Sequence, residues 1–201
     1  QRRLPGRFGQ RRVRVADPRE VLARRPELHG HHALRDELGS ERPDDVHAQN
    51  AIARGIGIAA QCAEAVGLMD RLTAITAEYM NTRKQFGVAI ASFQALRHRM
   101  ADVKMQLELA RSMSFFASLK LNEPAPARRR ALAQAKLQLG ASMRFVGQQC
   151  IQLHGGIGVT DEYVASHYFK RLTVMEMCFG DTLHTLGEVS ARMQDTAGVF
   201  A

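Results

Sequence analysis

Apolar residues recur every three or four positions between residues 52 and 79, and this stripe constrains the fold more than any other feature of the sequence. Its members are Ile52, Ile56, Ala59, Ala63, Val66, Met69, Leu72, Ile75 and Tyr79. The spacing follows the 3.6-residue period of an α-helix and predicts one helix of roughly 35 residues beginning near His47. A helix of that length needs other helices to cover its apolar face.

The rest of the chain supplies such partners. A second helical stripe runs from Phe93 to about Leu121, and a third begins at Pro126 and continues to Ile151. Two shorter helices are predicted, from about Asp161 to Met177 and from about Thr182 to Met193. Long helices with short connections and no persuasive strand predict an all-α fold, an antiparallel bundle of four to five helices in residues 46–201.

Residues 1–45 differ in composition and are predicted to be an irregular, basic segment. Seven of the first twenty residues are arginine, within a chain of formal net charge +8. The segment is a linker, a basic arm, or residues that do not belong to the native sequence of the domain. A basic arm that binds nucleic acid is the weakest interpretation, because no aromatic residues alternate with the arginines. The cluster of His29, His31 and His32 has no spaced partner ligand, so no metal site is predicted.

Composition narrows the class of protein further. No apolar run approaches the roughly 18 to 20 residues that span a bilayer, and no secretory signal is recognisable, so a cytoplasmic protein without membrane contact is expected. The three cysteines, Cys62, Cys150 and Cys178, are far apart and odd in number. They indicate neither a disulfide framework nor a zinc site.

A basic stretch, RKQFG, follows the first long helix. Gly87 is predicted at the C′ position of that helix, with Phe86 tucked under the turn. Arg83 has two interpretations of equal weight: it complements the negative end of the helix dipole, or its planar guanidinium binds a phosphate.

The third helix runs into the stretch QLHGGIGVTDEY, where it should end. Gly155 and Gly156 can adopt positive φ and, without a Cβ, let a ligand approach the backbone closely. Gln152, one turn earlier, can direct its amide toward the same ligand. Thr160 is predicted to be the N-cap of the next helix.

The order RKQFGVAIASFQ, then QLHGGIGVTDEY, then a final helix resembles the C-terminal helical domain of the acyl-CoA dehydrogenase family, over residues 47–195. The resemblance implies a FAD-dependent oxidation of the α–β bond of acyl-CoA thioesters. It also implies that this domain binds FAD across a subunit interface. The residues that match FAD-binding positions are Arg83, Phe86 and Gln94, and, in the turn supplied by a neighbouring subunit, Gln152, Gly155 and Gly156.

The same resemblance shows a departure at the catalytic position. Many family members carry a glutamate base just before the last helix, and Phe179 stands at that place here. Phenylalanine cannot accept a proton, so no catalytic residue is assigned. Glu176 and Asp181 flank the position as weak candidates for a displaced base, and Asp181 is better explained as the cap of the last helix.

Two interpretations of the whole chain remain. The first is a C-terminal fragment or companion subunit, inactive by itself, that completes a FAD site in a homo- or hetero-oligomer with a full-length family member. The stretch from His167 to Arg171 resembles the small subunit of two-subunit, pimeloyl-CoA-dehydrogenase-like members. The resemblance implies acyl-CoA as substrate and electron-transfer flavoprotein as acceptor. The alternative is a non-catalytic assembly subunit that binds no FAD.

Overall fold

A computed structural model of the chain describes residues 43–197 and contains five α-helices in that range. They are α1 (Pro43–Thr82), α2 (Gln94–Leu119), α3 (Ala125–His154), α4 (Val164–Met177) and α5 (Thr182–Ala197). Short 3-10 turns lie at Ile90–Ser92, Lys120–Asn122 and Gly155–Val159. The predicted all-α bundle is confirmed. The predictions for residues 1–42 lie outside the described residues. Helix α1 begins at Pro43, three residues before residue 46, the predicted start of the bundle.

The core lies where α1, α2, α3 and α4 meet. Its largest fully buried side chains are Met69 and Leu72 of α1, Leu107 of α2, Leu139 and Met143 of α3, and Leu172 and Met175 of α4. The predicted stripes are right in period and partly wrong in phase. Ile52 and Ile56 are exposed, although Gly55 and Ile58 of the same part of α1 are buried. Met105 and Leu109 of α2 are also exposed.

Helix α1 differs from the prediction in its hydropathy. Residues His47–Thr82 are long and apolar enough to cross a membrane by length and composition alone. The prediction that no such stretch exists is therefore wrong. In this structure the helix is buried against the other helices at Cys62, Ala65, Met69 and Leu72. The core helix of a bundle can have the same apolar composition, because its neighbours cover its apolar face.

A short β-hairpin, which the sequence pattern did not predict, connects α1 to α2. Strand β1 (Lys84–Gln85) pairs antiparallel with β2 (Val88–Ala89). The two turn residues both have positive φ, 54° at Phe86 and 82° at Gly87, as two-residue hairpin turns require. Gly87 is therefore a hairpin glycine and not the C′ residue of α1, and Phe86 is 92% exposed instead of tucked under the turn.

The connection from α3 to α4 begins as predicted and then departs from the prediction. Gly155 ends α3 with φ 67°, whereas Gly156 is not among the positive-φ residues. The chain then forms a 3-10 turn, and α4 begins at Val164 with Tyr163 as its N-cap. Thr160 is not the cap of α4. Its hydroxyl donates to the Ile157 carbonyl at 2.9 Å, so Thr160 belongs to the glycine-rich turn.

Candidate functional site

Two turns that are far apart in sequence meet at one end of the bundle. The ring centroids of Tyr79 and His154 lie 4.7 Å apart, and that histidine is 5.1 Å from Tyr163. Tyr79 accepts a backbone hydrogen bond from Arg83 at 2.8 Å, and His154 directly precedes Gly155. The structure therefore brings the hairpin and the glycine turn to the same end, which we call the open end.

The hairpin side of the open end presents polar and charged groups to solvent. Arg83, Lys84 and Gln94 are exposed. Among the described residues, the guanidinium of Arg83 forms no salt bridge. The ring of Phe86 stands edge-on to Phe93, with centroids 6.1 Å apart. A planar cation beside an exposed ring is suited to an anionic ligand that carries an aromatic group.

The glycine side of the open end leaves room at the backbone. A Cβ built on Gly155 or on Gly156 would meet nothing within 4 Å. Gln152 is exposed one turn before them. By contrast, a Cβ on Gly158 would lie 2.9 Å from the Ile151 carbonyl oxygen. Gly158 is therefore required for packing, whereas Gly155 and Gly156 border open space that a ligand can enter.

Beneath the glycine turn lies a buried histidine that sequence reasoning did not single out. His154 is 3% exposed. Its Nδ1 is 2.8 Å from the Cys150 carbonyl oxygen and so donates to it, while its Nε2 is buried without a partner. Burial lowers the pKa of His154, although the hydrogen bond to Cys150 opposes this. The ring supports the turn and packs against Tyr79 at an interplanar angle of 34°.

The turn between α4 and α5 holds Phe179 in an unusual backbone conformation. Its φ is 59°, a region that non-glycine residues seldom adopt. Arg54 of α1 donates to the Phe179 carbonyl oxygen at 3.0 Å. The ring lies against Gly57, where an added Cβ would be 2.8 Å from Phe179 Cζ. The ring thus occupies a notch on α1 that the glycine provides.

Glu176, one candidate for a displaced base, is committed to other groups. Its Oε1 accepts hydrogen bonds from the backbone N–H of Thr182 at 3.0 Å and from its hydroxyl at 2.5 Å. Arg144 lies 3.2 Å from the same oxygen. Burial raises the pKa of Glu176, but the bonds from Thr182 and the charges of Arg144 and Lys136 outweigh burial, so the pKa is lowered. A carboxylate held in this way is a weak base.

Asp181, the second candidate, caps the last helix. Its Oδ1 accepts a hydrogen bond from the backbone N–H of His184 at 2.7 Å, which satisfies one of the free N–H groups at the start of α5. The interpretation of Asp181 as a cap is confirmed. No group of three or more His, Cys, Asp or Glu side chains able to hold a metal ion is found among residues 43–197.

Comparison with known proteins identifies the bundle. Residues 56–194 match the family model described as acyl-CoA dehydrogenase, C-terminal domain. The chain belongs to the acyl-CoA dehydrogenase family. The resemblance inferred from the two turn motifs is thereby confirmed, and the five helices correspond to the C-terminal domain of an acyl-CoA dehydrogenase.

Individual acyl-CoA dehydrogenases are similar over much of this chain. Acyl-CoA dehydrogenase IpdE2 of Mycobacterium tuberculosis is 34% identical over 165 residues, which is 82% of this chain and 46% of that protein. The structure of butyryl-CoA dehydrogenase from Megasphaera elsdenii matches with a TM-score of 0.66 at 26% identity, over 72% of this chain and 38% of that one. The chain thus spans less than half the length of these relatives.

A further match concerns a flavoprotein. A chain in a solved structure of the electron transferring flavoprotein of Acidaminococcus fermentans matches with a TM-score of 0.63 at 29% identity, over 70% of this chain and 37% of that chain. The similarity establishes the helical domain in a further chain. Cofactor contacts by residues of this acyl-CoA dehydrogenase domain stay a prediction. The residues concerned are Arg83, Phe86, Gln94, Gln152, Gly155 and Gly156.

Proposed function

We propose that this chain is the C-terminal helical part of a FAD-dependent acyl-CoA dehydrogenase and that its open end contributes to the FAD site. The observation that carries the proposal is the meeting of the two family motifs through the contact of Tyr79 with His154. The positive φ of Gly155 is explained by the end of α3, but Gly156 has no positive φ and still borders empty space, which supports a ligand at this turn.

The residues at the open end suit FAD in their chemistry. Arg83 offers paired N–H donors for a diphosphate, and Gln94 offers an amide for polar atoms of the same FAD. Gln152 offers its amide to the adenosine half of FAD across the subunit interface. The two glycines admit a bulky group to the backbone. When bound, FAD supplies the hydride acceptor of the reaction. The residues that would hold it are Arg83, Gln94 and the exposed Phe86.

The chain does not supply a general base at the family's usual position. Phe179 occupies it, Glu176 is held by Thr182 and Arg144, and Asp181 caps α5. Loss of a positioned base reduces turnover by about 10² to 10⁴. We therefore propose that the isolated chain is inactive and that an active complex takes its base from another polypeptide.

The partners follow from the same proposal. The substrate is an acyl-CoA thioester, and the chain assembles with itself or with a full-length family member, in the cytoplasm and away from membranes. Electron-transfer flavoprotein is the proposed electron acceptor. Ile157, Val159 and Val164 are exposed beside the glycine turn, and such an apolar patch is suited to a subunit interface at the cofactor.

The test is flavin retention after co-expression with a full-length acyl-CoA dehydrogenase. We expect the purified complex to show flavin absorbance and to bleach on anaerobic addition of acyl-CoA. Arg83→Gln should reduce retained flavin about tenfold, as expected for loss of one charge-assisted contact. Arg111→Gln is the matched control, since it removes the same charge from an exposed pair with Asp70.

A second function is assembly without FAD. It is favoured by the inference from the resemblance that Phe179 stands at the family's base position, together with an intact helical fold. It predicts that Arg83→Gln leaves flavin content unchanged although the complex still forms. Equal flavin content in the Arg83→Gln and Arg111→Gln complexes, measured against protein by absorbance, would decide for this alternative.

A further inference from the structure

The contact between the glycine turn (Gly155–Val159) and α1 is made through one buried ring, that of His154. Helix α3 places this histidine directly before Gly155, where the chain leaves the helix with φ 67°. The turn then folds back over it, so that a Cβ built on Gly158 would lie 2.9 Å from His154 Cβ. The ring centroid of His154 lies 4.7 Å from that of Tyr79 on α1 and 5.1 Å from that of Tyr163. The place of the turn against α1 therefore depends on the state of this ring.

The hydrogen bonds of His154 suit a neutral ring and not a charged one. Its Nδ1 lies 2.8 Å from the Cys150 carbonyl oxygen, and because a carbonyl group can only accept, Nδ1 carries the proton. In a neutral imidazole Nε2 is then an unprotonated acceptor. Nε2 is buried and has no hydrogen-bond partner. Protonation would convert it into a buried cationic N–H donor without an acceptor, which costs more than a buried neutral acceptor.

The groups that surround His154 do not compensate for a positive charge. Within residues 43–197, burial lowers its pKa from the ordinary value of 6.5, and only the hydrogen bond to Cys150 opposes this shift. The charge of Glu78 on α1 acts on Tyr163 but does not contribute to the pKa of His154. The rings of Tyr79 and Tyr163 attract a cation, but this attraction is weaker than the cost of removing an ionised ring from water.

None of the groups in contact with His154 changes its own charge in weak acid. Burial raises the pKa of Tyr163 above its ordinary value of 10 and that of Cys150 to about 11. The hydroxyl of Tyr79 is also neutral below pH 7, as tyrosine hydroxyl groups are. In this part of the core, His154 is therefore the group that titrates between pH 7 and pH 5.

We propose that His154 is a pH-sensitive switch: its neutral ring holds the glycine turn against α1, and protonation of the ring releases the turn. The switch belongs to the chain itself and does not require bound FAD. It goes beyond the proposed function, because it assigns a conformational change to a side chain that the proposed FAD site does not use as a ligand.

The direction of the effect follows from the lowered pKa of the buried ring. The released turn binds the proton more tightly than the closed turn does, since burial disfavours the charged form. The closed turn keeps its full stability above about pH 6.5 and loses it as the pH falls toward the pKa of the buried ring. For a single proton, the ratio of released to closed turn rises about tenfold per pH unit within that window.

The experiment follows amide hydrogen exchange in the full 201-residue chain, without flavin, between pH 7.5 and pH 5. Rates are corrected for the intrinsic pH dependence of exchange, and peptides from residues 155–163 are compared with peptides from the middle of α3. Protection of the turn should fall about tenfold per pH unit below about pH 6.5, while α3 keeps its protection. Constant protection of the turn, or an equal loss in α3, would overturn the proposal.

Two variants identify the group that titrates. His154→Phe keeps an uncharged ring beside Tyr79, so protection of its turn should not change over this pH range. His167→Gln is the matched control, since His167 is an exposed histidine on α4 whose Nε2 lies 2.9 Å from the Asp161 carbonyl oxygen. This control should keep the pH dependence of the natural chain. A pH dependence that persists in His154→Phe or disappears in His167→Gln contradicts the proposal.

A direct titration keeps the test decisive if His154→Phe does not fold. The ring protons of His154 in the natural chain, followed by NMR, should give a pKa below 6.5, and exchange of the turn should respond in the same pH range. A pKa of 6.5 or above would overturn the proposal, because protonation would then favour the closed turn.

The effect of the switch on flavin rests on the proposed function and is measured separately. In the co-expressed complex, retained flavin should fall between pH 6.5 and pH 5 with the natural chain and stay constant with His154→Phe. A complex that holds no flavin at any pH contradicts the proposed FAD site and leaves the exchange result on the free chain unaffected. Equal flavin curves for the two chains would show that the turn is released without consequence for FAD.

Discussion

The polar groups around Glu176 and those of the open end differ in how their hydrogen-bonding capacity is used. The buried Glu176 carboxylate is held by Thr182 and by the exposed Arg144. The buried Lys136 donates to backbone carbonyls of α4, and a Cβ on Gly140 would clash with Thr182 Oγ1. At Gly155, about 22 Å further along α3 from Gly140, the side chains are exposed and the glycines face empty space. The comparison separates polar residues that hold the fold from polar residues that remain available to a partner.

The strongest test of this contrast removes the internal carboxylate. Glu176→Ala should lower the free energy of unfolding by about 3 kcal/mol, because it leaves the Thr182 donors without their acceptor and removes the negative charge close to the buried Lys136. Urea denaturation measures the change. Glu64→Ala, which breaks an exposed pair with Arg171, should cost less than about 1 kcal/mol. Equal losses in the two variants would remove the distinction.

A pair of helical glycines tests the same cluster by steric means. A Cβ on Gly140 would lie 2.6 Å from Thr182 Oγ1, whereas one on Gly67 would meet nothing within 4 Å. Gly140→Ala should therefore destabilise the chain by about 2 kcal/mol. Gly67→Ala should stabilise it by about 0.5 to 1 kcal/mol through helix propensity. Thermal unfolding followed by circular dichroism compares them, and a stabilised Gly140→Ala variant would contradict the packing described.

Acid titration sharpens the contrast without deleting a side chain. The pKa of Glu176 is lowered in the folded chain relative to its ordinary value of 4.5. Its contribution to stability is therefore present above about pH 4.5 and is lost as the pH falls through the folded-state pKa. The loss should be smaller than in Glu176→Ala, because the protonated carboxyl group still accepts hydrogen bonds.

The measurement is the urea midpoint between pH 6 and pH 3 for the natural chain and for Glu176→Gln. Exposed carboxylates such as Asp161, whose pKa is lowered by its hydrogen bond with Lys170, contribute to both proteins alike. The difference between the two curves should therefore shrink as the solution becomes more acidic. A constant difference over the whole range would show that the charge of Glu176 is not what stabilises the fold.

The smallest effect on stability is expected at the open end. Gly156→Ala should change the free energy of unfolding by less than about 0.5 kcal/mol, because the site is spacious and φ is not positive there. Gly155→Ala should cost about 1 to 3 kcal/mol, since φ 67° and ψ −143° suit only glycine. In the co-expressed complex, Gly156→Ala should nevertheless lower flavin retention. An unchanged flavin content would argue against the proposed FAD site.

Local periodicity was sufficient to predict the bundle but not its details. The helices, the stop at Gly155 and the cap at Asp181 depend on neighbouring residues alone and were predictable. The exposed positions Ile52, Met105 and Leu109 were not, because hydrophobicity does not show which face of a long helix has a partner. The hairpin was missed because two-residue strands leave no periodic signal, although Phe86-Gly87 carries a glycine suited to a tight turn.

The candidate site was predictable only in part, and for a similar reason. Family resemblance named the residues of the open end, but the contact between Tyr79 and His154 joins positions 75 residues apart. The role of Glu176 as an internal acceptor depends on Thr182 of α5 and on Arg144 and Lys136 of α3, which lie far from it in sequence.

The length and apolar character of α1 have a consequence for the synthesis of the chain. Residues His47–Thr82 emerge from the ribosome before the helices that cover them, and roughly 70 residues separate Thr82 from the end of α3. At about 5 to 20 residues per second, this stripe waits roughly 4 to 14 s for its partners. A nascent helix of such hydropathy is a natural client for chaperones during that interval, so the yield of folded protein should depend on translation speed.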